Sequence, residues 1–227
     1  MLALVASIHV LTTACRKEDV DGRHKADHDV LRNDTMKTLS ISTLTICGIA
    51  ELPGNSAREV SHVLSVLDPD WPEIEAFGTY GEHERVTLRF HDIIDPAPDR
   101  IMPAPEHVAA ILSFGEGLRV SAVGRKAGHL LVHCHMGISR STAAMLALMA
   151  QADPREDADV LFARLREIRP QAWPNSVMVG FADEQLGRQG RLTEALGRHY
   201  AHQIGVQPKY RTWMNDLGRK RELEMAV

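Results

Sequence analysis

The sequence predicts an α/β layer fold, with a central, largely parallel sheet flanked by helices on both faces. Three observations carry this expectation. Four short runs rich in β-branched and aliphatic residues are bounded by turn residues, as buried strands are. The stretches around the last two runs carry apolar residues at helical spacing, and strands alternating with helices imply parallel pairing and covered faces. A chain of 227 residues, 44% hydrophobic and 25% charged, also holds enough apolar material for one compact domain.

Taken in order, the chain opens with "MLALVASIHVLTTAC", apolar but without the basic start of a leader, and too short to span a bilayer. The next stretch, "RKEDVDGRHKADHDVLRND", mixes charges densely and reads as a connector. Residues 1–35 are therefore expected to be a poorly ordered extension, or a product of start-codon choice, in preference to a working export signal. Strands are predicted at 39–49, 62–67, 85–90 and 129–133. A helix is predicted over 105–123, opened by Pro105 and Glu106, and another over 139–153, apolar nearly all round as a buried helix is. A third runs through 153–170, with Val160, Leu161, Leu165 and Ile168 on one face and a stop at Pro170. A domain over 36–190 and a helical tail over 191–227 follow. In the tail, helical stretches flank "GVQP", and Arg219, Lys220 and Arg221 form a basic patch; the tail reads as a solvated helix in preference to one that packs back on the domain or engages a partner.

Ligands of parallel sheets bind beyond the carboxyl ends of the strands, where the chain turns into a helix. The stretch "HLLVHCHMGISRS", residues 129–141, occupies such a place. Backbone N–H groups of the loop and the positive end of the following helix would converge on one point and favour an anion. Cys134, aimed at that point, is expected to be the attacking thiolate. Arg140 adds a planar fork suited to two phosphoryl oxygens, and Gly137 lets the backbone turn with positive φ. Ser141 is placed to donate to the sulfur.

His133, Cys134, Gly137, Arg140 and Ser141 reproduce the His-Cys-x-x-Gly-x-x-Arg-Ser signature, so the domain resembles the cysteine-dependent protein tyrosine phosphatases, especially small dual-specificity-like bacterial-type members. "REIRPQAWPN", residues 166–175, resembles the stretch that follows the signature by one helix in that family, and the resemblance spans 39–186. It implies a phosphatase-like fold with the phosphate loop between a strand and a helix. It also implies phosphate binding by His135, Met136, Gly137, Ile138, Ser139 and Arg140, with His133 in support. A general acid is implied in "RFHDIIDPAPDRIMPAPEH", residues 89–107. Asp92, directly after the strand, is the first choice and Asp95 the alternative; Asp99 also lies there, and all three suit turn or cap positions. His135 is expected to point outward and touch substrate. The loop lacks the lysines typical of phosphoinositide phosphatases, so a highly charged inositol phosphate is disfavoured.

The resemblance implies a phosphatase that needs no cofactor and no metal, hydrolysing phosphomonoesters through a phosphocysteine. The expected partner is a phosphorylated protein, bearing phosphotyrosine or of dual specificity, or a small phosphomonoester. A zinc site on His133, Cys134 and His135 fails because neighbouring strand residues point to opposite faces. His24 and His28 near Cys15 are a weak metal hint. A formal charge of −4 gives no global basic field, so no nucleic-acid or membrane partner is expected. Three widely spaced cysteines argue for a reducing compartment, the cytoplasm by default. Two other functions stay open, a non-catalytic phosphate-recognition module and another cysteine enzyme such as an arsenate reductase or sulfurtransferase. Resolving-thiol chemistry would fall to Cys47, which otherwise reads as core packing.

Overall fold

The computed structural model describes residues 41–120 and 128–226, with backbone only at Val120. Cys15, His24, His28, the expected extension and the end of the 105–123 helix lie outside the described residues. Four strands form one sheet, β1 (Thr43–Gly48), β2 (His62–Leu67), β3 (Glu84–Arg89) and β4 (His129–Cys134). Their order is β1-β4-β2-β3 and every pairing is parallel. The seven α-helices of the described residues are α1 (Pro105–Val120), α2 (Arg140–Ala152), α3 (Ala158–Ile168), α4 (Ser176–Gln185), α5 (Arg191–Val206), α6 (Tyr210–Asp216) and α7 (Lys220–Glu224).

Strand periodicity sorts the core into two layers. Ile46, Leu64, Val66, Leu130 and Val132 face the α-helices, whose apolar stripes close over them. The alternate residues Cys47, Val63, Leu67 and Leu131 face a thinner cover of two 3₁₀ helices, Ile49–Asn55 and Glu75–Thr79, through Leu52 and Phe77. β2 and β4 are buried along their whole length because both of their edges are paired and both faces covered. α2 is buried through almost all its residues, as its all-round apolar sequence requires. In α3 the buried residues are Ala158, Leu161, Phe162 and Leu165, so Phe162 belongs to the face where Val160 was expected.

The expectation of a solvated tail does not hold. Leu192, Tyr200, Ile204, Tyr210 and Met214 of α5 and α6 join the main core. They close over the 166–175 stretch, where Trp173 stacks between Tyr200 at 4.2 Å and Tyr210 at 5.3 Å. Trp173 is fully buried, a packing residue of the core. No helix among the described residues is long and apolar enough to cross a membrane.

Candidate active site

β4 ends at Cys134 and α2 begins at Arg140, so the five residues between them form a loop at the carboxyl edge of the sheet. Gly137 turns at φ +68°, and a Cβ there would meet the Cys47 carbonyl carbon at 2.4 Å and the Gly48 nitrogen at 2.6 Å. Only glycine fits that approach.

The loop carbonyls are all bound from outside. Ile49 N–H donates to His135 O at 3.0 Å and Trp173 N–H to Ile138 O at 2.8 Å. Arg169 donates Nη2 to Met136 O at 3.1 Å and Nε to Gly137 O at 2.9 Å. Thr142 Oγ1 donates to Ser139 O at 2.8 Å and also to Ile138 O. A trans peptide sets N–H opposite C=O, so carbonyls held outward turn the loop amides inward, the arrangement that cradles an anion. Arg169 is itself fixed by a forked pair to Glu51 at 2.9 and 2.8 Å.

Inside the loop, Cys134 Sγ and Ser141 Oγ share a hydrogen bond of 3.2 Å. Arg140 is 2% exposed. Its Nη1 donates to Asp68 Oδ1 at 2.7 Å and to Phe90 O, while its buried Nε has no hydrogen-bond partner. A buried guanidinium nitrogen without a partner is costly, and an oxyanion would satisfy it. His133, beneath Cys134, shares a 2.7 Å hydrogen bond with Ser65 Oγ. Burial lowers its pKa to about 4, so it is neutral near pH 7.

Asp92 arrives from the end of β3. Its Oδ1 accepts from Ser139 Oγ at 2.8 Å, from Asn175 Nδ2 at 3.0 Å and from Arg219 Nη2. Its Oδ2 lies 4.0 Å from Arg140 Nε. Burial alone would raise the carboxyl's pKa, but the charges of Arg219 and Arg140 and the Asn175 hydrogen bond outweigh it and hold the pKa at about 2.

Of the residues singled out in sequence, the fold brings Cys134, Arg140, Ser141, Gly137, Ser139 and Asp92 together. Asp95 stands apart, its Oδ1 3.0 Å from Arg221 Nη1 with both side chains about half exposed. Asp99 occupies an exposed turn at φ +55°. His135 does not point freely outward: Nε2 accepts from Asp68 N–H at 3.3 Å, and the ring packs on Trp71 at 4.1 Å. Burial and the charge of Arg140 lower its pKa. Met136 is exposed beside it, and Ile138 packs against the core. Cys47 pairs with His133 across the sheet while Cys134 pairs with Gly48, so the two cysteines project to opposite faces. Burial pushes the Cys47 thiol up to about 12, which makes it an inert core group rather than a resolving thiol.

Sequence reasoning missed Asp68, Glu51, Arg169, Asn175 and Arg219. Asp68 had a usable signal, since it follows β2 directly and so stands at the same carboxyl edge as Cys134. Asn175 is the N-cap of α4, its Oδ1 accepting from Val177 and Met178 N–H at 3.1 and 3.2 Å, which leaves its Nδ2 for Asp92. The expected basic patch divides in three. Lys220 pairs with Glu224 and Arg221 with Asp95 in solvent, whereas Arg219 is buried between Asp92 and Glu222. An apolar hollow lined by Leu44, Leu130, Leu148 and Met149 lies near the amino ends of β1 and β4, away from this chemistry.

The chain matches no family model and no curated protein. Its structure is similar to those of tyrosine and dual-specificity phosphatases. The Yvh1 phosphatase domain from Chaetomium thermophilum is 28% identical, with a TM-score of 0.43 over 66% of this chain and 93% of that one. The human tyrosine phosphatase-like serine/threonine/tyrosine-interacting protein is 20% identical, with a TM-score of 0.46 over 66% and 95%. Human DUSP28 is 14% identical, with a TM-score of 0.48 over the same shares.

Proposed function

We propose that this chain is a cysteine-dependent phosphatase that hydrolyses phosphomonoesters, of protein phosphotyrosine or of dual specificity, through a phosphocysteine. The observation that carries the reading is the loop whose carbonyls are all tied outward around Cys134, with the unpartnered Arg140 Nε beside it. In the first step Cys134 Sγ attacks phosphorus in line as the P–O bond to the leaving group breaks. Loop amides and Arg140 hold the equatorial oxygens, and Asp92 gives the departing oxygen its proton. In the second step Asp92 takes a proton from water, which attacks phosphorus, and the S–P bond breaks to release inorganic phosphate. Ser141 stabilises the departing thiolate. The positive field that a metal supplies in other phosphoryl transfers comes here from Arg140 and backbone dipoles.

For Asp92 to act as an acid it must hold a proton, although Arg219 and Arg140 hold its carboxyl pKa down at about 2. A phosphate dianion against Arg140 and the loop offsets the positive field that depresses the carboxyl, and so favours protonation when substrate is present. A cysteine nucleophile suits a reducing compartment such as the cytoplasm.

The test is turnover of an aryl phosphate by purified full-length protein in the presence of a chelator, beside Cys134→Ser and Asp92→Ala. The reading expects chelator-resistant turnover that vanishes in Cys134→Ser and slows by about 10²- to 10⁴-fold in Asp92→Ala for poor leaving groups. Turnover persisting in Cys134→Ser sinks the phosphocysteine. Tight vanadate binding by a wild type without turnover returns the loop to the recognition-module reading.

A further inference from the structure

The C-terminal segment reaches into the site through one side chain. Arg219 lies between α6 and α7 and is 127 residues from Asp92 in sequence. Its Nη2 donates to both Asp92 Oδ1 and Asp92 O, the latter at 2.9 Å. Its Nη1 lies 3.3 Å from both oxygens of Glu222, which is fully buried. Glu222 in turn accepts from Trp173 Nε1 at 2.7 Å and from Ser176 N–H at 2.8 Å. The guanidinium is therefore fixed at both ends, with Asp92 on one side and a carboxylate anchored to the 166–175 stretch on the other.

That arrangement divides the two oxygens of Asp92 between different tasks. Ser139, Asn175 and Arg219 converge on Oδ1, while Oδ2 is the oxygen facing Arg140. An acid must present one oxygen to the leaving group and hold it there. We propose that Arg219 is the positioning residue for Asp92: it grips Oδ1 and the backbone carbonyl of that residue, and so turns Oδ2 toward Arg140 and the phosphate loop.

This inference rests on the phosphatase reading and adds to it that the C-terminal helices are part of the catalytic apparatus. Several groups face Asp92 from the surrounding elements. Arg140 and Ser139 lie at the start of α2, and His135 lies in the loop before it. Asn175 precedes α4, and Tyr200 on α5 feels its charge. His91 is its chain neighbour. Arg219 is the nearest cation among them, and Glu222 limits how much of its charge Asp92 receives. Removing Arg219 leaves Arg140 as the cation opposing burial, so the carboxyl should hold its proton to higher pH. It should also lose its fixed direction.

The experiment compares wild-type protein with Arg219→Gln and Arg219→Lys, all full length. Two aryl phosphates are used, one with a poor leaving group and one with a good one. The ratio of their kcat/KM values followed against pH isolates proton donation, because only the poor leaving group needs the acid. For Arg219→Gln the pH at which that ratio changes should rise by about 1 to 3 units, the range that a contacting cation imposes on a carboxyl. The poor leaving group should also lose rate relative to the good one even at low pH. A merely structural role would slow both substrates alike and leave the midpoint where it was, and that outcome overturns the proposal.

Should Arg219→Gln fail to fold, Arg219→Lys decides. Lysine keeps the charge but lacks the fork that spans Asp92 and Glu222, so its midpoint should move by less and its poor-leaving-group rate should still fall. A lysine variant with the wild-type profile overturns the proposal. If wild type turns over neither substrate, the phosphatase reading fails, and the Asp92 carboxyl carbon resonance of labelled protein still tests the clamp. A higher titration midpoint in either variant than in wild type supports it, and equal midpoints refute it.

Discussion

The loop from Cys134 to Arg140 and the loop that carries Asp92 meet in one small space and are held there differently. The first is fixed at its backbone: a glycine at positive φ, and carbonyls tied outward by backbone N–H groups and by Arg169. The second presents one side chain, and what holds it comes from Ser139 of the first loop and from Asn175 and Arg219, far along the sequence. A loop fixed by backbone geometry is specified by a short contiguous motif. A carboxylate fixed by distant charge is specified by the whole fold, and its protonation can be tuned without rebuilding the loop.

The largest effect should come from breaking the first device at its tightest point. Gly137→Ala puts a Cβ 2.4 Å from the Cys47 carbonyl carbon at a φ that alanine disfavours. The left-handed φ alone adds backbone strain of about 1 to 3 kcal/mol, and the clash with the Cys47–Gly48 backbone comes on top of it. Relief of that strain would displace the inward-facing amides, so turnover and vanadate affinity should fall together. A Gly137→Ala protein with wild-type vanadate affinity would show that the loop is not held as tightly as its contacts imply.

Arg169→Met loosens the same loop more gently, freeing the Met136 and Gly137 carbonyls and removing the forked ion pair with Glu51. Hydrogen bonds to a charged group contribute about 1.5 to 3 kcal/mol. A drop in chemical-denaturation stability of that order is expected, with weaker vanadate binding and an unchanged preference between good and poor leaving groups. Asp92 is not touched by Arg169, so a changed leaving-group preference would mean that loosening the loop backbone carries over to Asp92 through Ser139.

The contrast also explains what could be read from the sequence. β2 is found with its exact bounds, and β4 and α2 within a residue, because their apolar runs are continuous and ended by polar turns. Cys134, Gly137, Arg140 and Ser141 are legible for the same reason: the motif is local. Asp92 is legible as the first polar acid after a strand. Arg219 is not, because in sequence it is one of three adjacent cations and only burial separates it from Lys220 and Arg221. The tail reads as solvated from sequence because the apolar residues that bury it, among them Leu192, Tyr200 and Ile204, are spaced on an amphipathic helix whose partner, Trp173, lies elsewhere in the chain.

A pH effect on stability should touch both regions. His133 lies under the loop from Cys134 to Arg140, and His199 Nε2 is 2.9 Å from Ala172 O, beside the stretch that carries Asn175. Burial lowers both imidazoles from 6.5 to about 4. Below about pH 6.5 the unfolded chain gains protons that the folded chain refuses until about pH 4. Stability therefore falls as pH drops through that window and is fully present above it, by about 3 kcal/mol per histidine at the acid end. His199→Gln should flatten the pH dependence of the melting temperature between those limits. An unaltered slope would mean that His199 is protonated in the fold.

The smallest expected effect is the sharpest check on which aspartate belongs to the site. Asp95 is three residues from Asp92, also precedes a proline-rich turn, and was the alternative acid. Its carboxyl instead meets Arg221 at the surface, with more than half of each side chain exposed. Water screens such a pair, so Asp95→Asn should change stability by less than about 1 kcal/mol. Its turnover of poor and good leaving groups should match wild type at every pH. A selective loss on the poor leaving group would transfer the acid role to Asp95 and require the loop to rearrange when substrate binds. The converse, no loss in Asp95→Asn beside a large loss in Asp92→Ala, would mean that burial between Arg140, Asn175 and Arg219 separates the acid from its neighbour.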